Sequence, residues 1–175
     1  MHPFDLLRAS IEIAGRTVEE AASGSLGVPT PCRDWPLAVL VHHVADSACS
    51  LRALLTSELP GPAPLPGCSA AQAALTDLLR VVGQVPSDDP AARLVAVLGG
   101  FELVLHGWDV GQATGRPAAV PPALVGALLL RAPTVLTDAA RPGLFGPAVV
   151  PGARATDLDR LVGLFGRTPR WRALP

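Results

Sequence analysis

The chain has 175 residues, which is enough to bury a sizeable core, and we expect one domain over 1–175. Its formal net charge is -1, and its fourteen basic residues, all arginine, are scattered along the sequence. This pattern offers no basic patch for nucleic acid. We therefore expect a small-molecule partner and no nucleic-acid partner.

Neither the cysteines nor the amino terminus suggests export. Cys32, Cys49 and Cys68 form no Cys-x-x-Cys pair, and an odd, sparse count argues against a disulfide framework. Acidic residues run through the amino-terminal segment, which therefore does not resemble a signal peptide. The longest apolar stretches, around 94–105 and 118–130, are interrupted and fall short of the roughly 20 residues of a membrane span. We expect a cytoplasmic protein with no membrane partner.

Apolar residues recur at helical spacing in three segments of the amino-terminal half. The first helix is predicted from Pro3 to about Ala22. The second is predicted over 36–58, with a proline in its first turn. A linker rich in proline and glycine follows, and Ser69 is a candidate N-cap for a third helix that ends near residue 82.

The carboxyl-terminal half contains one long predicted helix and two shorter ones. The long helix runs from about residue 91 to a glycine at 115. A fifth helix over 122–131 or slightly beyond is disturbed by Pro133, and Thr156 or Asp157 caps a short sixth helix. No βαβ alternation interrupts this pattern. The predicted class is therefore all-α, a helical bundle with additional elements.

The fourth predicted helix carries unusual ionisable residues. Between Leu94 and Val110, only Glu102, His106 and Asp109 are ionisable, and the other positions are apolar or glycine around the whole helix. Such a helix is largely buried. A buried carboxylate needs a hydrogen-bond partner, an opposite charge or a metal ion. Because Glu102 and His106 are four residues apart, they can converge on one point.

The second predicted helix offers two histidines for the same point. His42 and His43 lie in an apolar run, and adjacent side chains on a helix point about 100 degrees apart, so only one should face the core. The apolar phase alone does not choose between them. Two histidines and one carboxylate make a three-ligand site with an open position, typical of catalytic zinc. Nickel, iron or manganese also suits these donors.

Other interpretations of these polar residues stay open. Glu102 and His106 can form an internal polar pair with one of the two adjacent histidines, which would hold the bundle in register. Asp109 can accept a hydrogen bond from a ligating imidazole, or it can bind Arg116 or the backbone. Asp46 has the same ambiguity, with surface exposure favoured.

The remaining candidates are more often structural. We expect the three tryptophans, Trp35, Trp108 and Trp171, to pack in the core or in a lid. We expect Cys32 and Cys49 to be small buried hydrophobic residues.

Two arginines near the carboxyl terminus have both a functional and a structural interpretation. Arg160 and Arg167 can clamp a carboxylate of a ligand. An ion pair with Asp157 or Asp159 is the simpler account.

Three segments resemble one known family. The segment TPCRDWPLAVLVHHV is similar to a helix-two signature in which Cys-x-x-Trp is followed, eight residues after the tryptophan, by a ligand histidine. The segment FELVLHGWDVGQATGRP is similar to a Glu-x-x-x-His-x-Trp-Asp signature, and ATDLDRLVGLFGRTPRW is similar to a carboxyl-terminal ending of actinobacterial members. On these segments the chain resembles the DinB/YfiT-like superfamily, in particular the metal-binding domains like the amino-terminal part of mycothiol-dependent maleylpyruvate isomerase.

This resemblance implies a DinB-like up-down four-helix bundle with additional carboxyl-terminal helices. It implies a divalent metal, zinc or nickel, on His43, Glu102 and His106, and it selects His43 over its neighbour. It also implies a low-molecular-weight thiol of the mycothiol type as cosubstrate.

The expected function is therefore a metal-dependent enzyme that uses the thiol for S-transfer to, or isomerisation of, a small electrophilic substrate. A free thiol has a pKa near 8.5, whereas a metal-coordinated thiol is deprotonated, which is the physical reason for such a site. The alternatives are a hydrolase that uses water on the metal and a non-catalytic small-molecule-binding bundle with a structural polar or metal site.

Overall fold

The computed structural model describes residues 1–59, 61–86, 88–137, 141 and 144–173. Parts of the predicted linkers and of the irregular stretch before the last helix lie outside these residues. The described residues form six helices and no strand: α1 Pro3–Ala21, α2 Leu37–Thr56, α3 Cys68–Val82, α4 Pro90–Ala113, α5 Pro122–Val135 and α6 Asp157–Leu164. The all-α class predicted from the sequence is confirmed for this part of the chain.

Two helix ends differ from the prediction, and one open choice is settled. Gly67, with a φ of 115°, is the N-cap of α3, so the prediction of Ser69 at that position is wrong. α5 continues through Pro133 for a further two residues. Thr156, not Asp157, caps α6, because its side chain accepts from the backbone N–H of Asp159 and the Asp159 side chain accepts in return from the Thr156 N–H.

The first four helices pack around one core. α1 contacts α4 and α3, and α2 contacts the same two helices, so each of the four packs against two others of this group. α5 and α6 pack against each other over a second, smaller core that includes Phe101, Leu128 and Phe165. This arrangement places α2 and α4 side by side, with His43 and Ser47 of α2 in contact with Glu102 of α4.

Glycines allow α1 to approach α4 closely. A Cβ at Gly100 would overlap the Leu6 side chain, and one at Gly107 would lie 3.4 Å from the backbone of Ala14. Gly100 and Gly107 therefore have a packing role at the contact of α1 with α4.

α4 is the central helix of the fold. By length and composition it is apolar enough to cross a membrane, and 72% of that apolar window is buried inside the protein. Burial of this extent is typical of a core helix, and it explains why few of its side chains are polar.

Candidate metal centre

α2 and α4 bring His43, Glu102 and His106 together. His43 Nε2 lies 2.8 Å from Glu102 Oε1, and His106 Nε2 lies 3.3 Å from the same oxygen. Glu102 and His106 are one turn apart on α4, whereas His43 comes from the facing helix. One donor atom from each residue lies within 4.8 Å of the others, so the three can hold one metal ion.

The two adjacent histidines of α2 have different surroundings. His43 faces Glu102, and its ring is in edge contact with the His106 ring at a centroid distance of 4.8 Å. His42 points away from this cluster, and its Nε2 lies 3.6 Å from Asp46 Oδ2 at the half-exposed surface. The structure therefore places only one of the pair beside Glu102.

Ser47 holds the Glu102 carboxylate, a contact that sequence analysis did not identify. Its hydroxyl donates to Glu102 Oε1 at 2.7 Å. Burial alone would raise the pKa of the Glu102 carboxyl, but hydrogen bonds from His106, His43 and Ser47 outweigh burial and hold this pKa far below its ordinary range. Glu102 is therefore an anion in the protein, as a metal ligand must be.

Asp109 fixes the other side of the His106 ring. Its side chain is fully buried, and its Oδ2 lies 3.1 Å from His106 Nδ1 and 2.8 Å from Arg167 Nη2. Burial would lower the pKa of His106, but hydrogen bonds to Asp109, Cys32 and Glu102 outweigh it and raise this pKa well above 6.5. Of the two interpretations of Asp109, the structure supports the carboxylate that orients His106.

The alternative partner for Asp109 was Arg116, and this interpretation is wrong. Arg116 Nη1 instead donates to the Glu20 carbonyl at 3.2 Å and to the Ser23 hydroxyl at 3.4 Å. It therefore ties the end of α4 to the end of α1.

Cys32 is not the simple hydrophobic residue that the sequence suggested. Its thiol donates to Asp109 Oδ2 at 3.1 Å and lies 3.7 Å from His106 Nδ1. Burial and the nearby Asp109 charge raise the pKa of this thiol against the opposite effects of His106 and Arg167. The protonated thiol therefore acts as a hydrogen-bond donor in this network.

Arg167 also has a different partner from the one expected. It reaches Asp109 from the segment after α6, with Nη2 at 2.8 Å from Oδ2 and Nε at 3.4 Å from Oδ1, so a pair with Asp157 or Asp159 is wrong. The same expectation is confirmed for Arg160, which pairs with Asp157 at 2.6 Å on the surface. Arg167 thus connects the carboxyl-terminal segment to α4.

The loop before α2 contributes an aromatic wall. The Trp35 ring lies 4.9 Å from the His43 ring and 6.3 Å from the His106 ring, measured between centroids. Thr30 holds the loop, since its hydroxyl donates to the Trp35 carbonyl at 2.9 Å and accepts from the Cys32 N–H at 3.1 Å. Trp35 therefore packs on the ligand candidates, whereas Trp108 is in the core as expected.

A cavity of about 1050 Å³ opens onto the cluster. His43, Glu102 and His106 line it together with residues from 29–35, 144–147 and 165–172. Its volume is slightly above the range of roughly 300–1,000 Å³ common for small-molecule sites. The three residues therefore form part of the wall of a cavity that can admit a ligand.

A second donor group shares His106 with the first. Cys32 Sγ, His106 Nδ1 and an Asp109 oxygen also lie within 4.8 Å of one another. The Arg167 guanidinium is 2.8 Å from Asp109, and its positive charge disfavours a cation at that position. The group that includes His43 and Glu102 is therefore the better candidate.

Comparison with known proteins gives distant relatives. No family model matches the sequence, and no solved structure matches it. The chain is similar to the uncharacterized protein Rv0738 of Mycobacterium tuberculosis strain ATCC 25618 / H37Rv and to the uncharacterized protein MT0763 of strain CDC 1551 / Oshkosh. Each is 26% identical over 157 residues, which cover 83% of this chain and 86% of the relative. The likeness spans most of both chains, and neither name states an activity.

Proposed function

We propose that this chain is an enzyme that binds a divalent metal ion, zinc or nickel, through His43, Glu102 and His106. The observation that carries this proposal is the convergence of three donor atoms from two helices at the wall of a large cavity. Two imidazoles and one carboxylate are the donor set of many catalytic zinc sites, in which a fourth position stays open.

The donor distances fit such an ion. Zinc bonds of 2.0–2.2 Å in tetrahedral geometry separate two ligand atoms by about 3.3–3.6 Å. The 3.3 Å between His106 Nε2 and Glu102 Oε1 matches this value, and the 2.8 Å between His43 Nε2 and Glu102 Oε1 is at least about 0.5 Å shorter. Small side-chain rotations at half-exposed His43 and Glu102 would accommodate the ion.

We further propose that the metal site activates a low-molecular-weight thiol of the mycothiol type. The metal would lower the thiol pKa so that the thiolate exists at neutral pH. In S-transfer, the sulfur forms a bond to an electrophilic carbon, and the leaving group departs with the bonding electrons. Isomerisation would proceed through reversible addition of the same sulfur.

The residues of this chain would position the reactants. Asp109 orients His106, Ser47 orients Glu102, and Trp35 covers one side of the two imidazoles. The large cavity leaves room for a hydrophilic thiol beside the donors.

We infer a DinB-like up-down bundle of α1 to α4, with α5 and α6 as the additional helices. The mutual packing of the first four helices and the placement of the donors on α2 and α4 support it. The three free cysteines support a reducing, cytoplasmic location.

A second candidate function is a non-catalytic binding protein whose polar cluster is structural. The 2.8 Å contact of His43 with Glu102 and the 2.7 Å bond from Ser47 favour it, because they satisfy the carboxylate without an ion. In that case the cluster would stabilise the bundle, and the cavity would serve binding alone.

Thiol addition to cobalt-substituted protein distinguishes these functions. The proposal expects a sulfur-to-cobalt absorption band when a mycothiol-type thiol is added, because the thiolate takes the open position. A cobalt spectrum that does not change on addition of thiol would contradict thiol activation. A protein that takes up no cobalt would favour the second candidate, in which the polar cluster is structural. Hydrolysis of an ester without added thiol would favour a hydrolase.

A further inference from the structure

A second cavity of about 330 Å³ adjoins the candidate metal centre. It lies between α2 and α4, and the end of α5 and residues 144–145 close one side. Five residues line both this small pocket and the large cavity: Glu102, Leu105, Leu144, Phe145 and Phe165. The two cavities therefore adjoin along a shared wall that includes Glu102 of the proposed metal site.

The small pocket is chemically different from the large cavity. Among its described lining residues, Glu102 is the only ionisable one. The rings of Phe145 and Phe165, which line both cavities, meet edge to face at a centroid distance of 5.0 Å and form an aromatic wall between them. The large cavity, in contrast, is lined by several charged residues, including Arg33 and Arg172.

Three exposed leucines surround the small pocket. Leu54, Leu98 and Leu144 line it and are 63%, 43% and 71% exposed. Single exposed leucines are common on protein surfaces, but several around one apolar pocket mark a binding site for an apolar group. Their position next to Glu102 indicates that the occupant is a small molecule that also reaches the metal centre.

We propose that the small pocket binds an uncharged aliphatic or aromatic group of the electrophilic substrate, while the large cavity holds the hydrophilic thiol. The electrophilic carbon would then lie near Glu102, which lines both cavities. The identity of the pocket's occupant as a substrate rests on the proposed function. The apolar character of the pocket rests on its own residues.

Binding of straight-chain alcohols tests the pocket without any reaction. For 1-butanol, 1-pentanol and 1-hexanol, measured by calorimetry on metal-free and zinc-loaded protein, affinity should rise about fourfold per methylene, as expected for burial of a CH₂ group. Leu54→Asp and Leu98→Asp, on different helices, should each weaken hexanol binding by about tenfold, because a carboxylate disfavours an apolar ligand. Leu130→Asp, at an 80% exposed position outside both cavities, should leave it unchanged.

Circular dichroism identifies any variant that fails to fold. If one of Leu54→Asp and Leu98→Asp does not fold, hexanol binding is compared for the other. An affinity that does not depend on chain length, or equal hexanol binding by all three variants, would overturn the inference and leave the metal proposal intact.

A second measurement separates the pocket from the proposed chemistry. Thiol consumption with a series of alkyl electrophiles that share one leaving group should show a kcat/KM that rises with alkyl length. Chain-length-dependent alcohol binding without consumption of thiol by any electrophile would keep the pocket as a ligand site and contradict thiol transfer. Turnover that ignores alkyl length would overturn the pocket's role in substrate binding.

Discussion

Asp109 Oδ2 lies 3.1 Å from His106 Nδ1, and this leaves the other ring nitrogen, Nε2, facing Glu102 at 3.3 Å. A hydrogen bond from Nδ1–H to the carboxylate selects the tautomer in which Nε2 carries the lone pair that a metal requires. The fully buried Asp109 therefore determines which side of His106 is available to the proposed metal.

Asp109→Asn should weaken zinc binding by about 10–100-fold, the usual cost of losing such an orienting carboxylate. An amide oxygen is a weaker acceptor than a carboxylate oxygen, and the amide NH₂ can point toward Nδ1 instead. Competition with a chromophoric chelator measures the affinity. Asp46→Asn, beside half-exposed His42, is the control and should bind zinc normally. Normal affinity in a well-folded Asp109→Asn protein would exclude the orienting role.

Arg167→Ala should destabilise the metal-free protein by up to about 3–5 kcal/mol, because it removes the guanidinium from the buried Asp109 carboxylate and leaves His106 as the remaining cationic partner. Arg160→Ala is the matched control, and loss of its exposed pair with Asp157 should cost about 0–1 kcal/mol. Urea unfolding measures both. The double variant Asp109→Asn/Arg167→Ala should recover part of the loss, since neither charge remains. An equal decrease in the free energy of unfolding for the two arginine variants would show that the buried ion pair stabilises the protein no more than the exposed one.

The pH dependence of stability should change direction when metal binds. In the metal-free protein the pKa of His106 is raised, so its contribution is complete below pH 6.5 and is lost as pH rises through the folded pKa. The pKa of Asp109 is lowered from 3.8, so its contribution is present above that value and is lost as pH falls toward the folded pKa. Thermal midpoints of metal-free protein should therefore decline both above pH 6.5 and below about pH 4.

Zinc should reverse the change of the thermal midpoint at high pH. The ion binds neutral His106 and therefore competes with the proton on this imidazole. With zinc present, the midpoint should rise between pH 6 and about pH 8. Parallel curves with and without zinc would indicate that the ion does not use this imidazole.

Gly100→Ala should destabilise the protein by about 1–3 kcal/mol, the usual range for overpacking, because the new methyl group overlaps Leu6 where α1 meets α4. Gly126→Ala is its control. Gly126 lies in α5 with open space around its Cβ position, so this substitution should stabilise by up to about 1 kcal/mol through helix propensity. Chemical denaturation compares the two. A Gly100→Ala protein as stable as the wild type would argue against the close approach of α1 and α4.

Most of the helices and part of the candidate site could be predicted from local signals. The apolar periodicity and the prolines located the six helices to within a few residues. Glu102 and His106 were identifiable because burial of an ionisable side chain in an otherwise apolar helix is unfavourable unless it has a partner or binds a metal. His43 was chosen over His42 by the family resemblance, since the apolar face of α2 includes neighbours of both.

The residues behind the candidate ligands could not be predicted in the same way. Cys32 is 77 positions from Asp109, and Arg167 is 58 positions from it. No periodicity connects such distant positions, and the role of each depends on how loops close over the helix ends. The available signal was their location in the family-like segments, Cys32 in Cys-x-x-Trp and Arg167 in the Gly-Arg-x-Pro-x-Trp ending.

Bound metal per chain tests most directly whether His43, Glu102 and His106 hold one metal ion. After dialysis against zinc and removal of the excess, the wild-type protein and His42→Ala should each retain about one equivalent, because His42 points away from the cluster. His43→Ala, Glu102→Ala and His106→Ala should each lose it while keeping their helix content, because a catalytic metal need not fold a bundle of this size. A wild-type protein that retains no zinc, or retention by His43→Ala with loss in His42→Ala, would contradict the account.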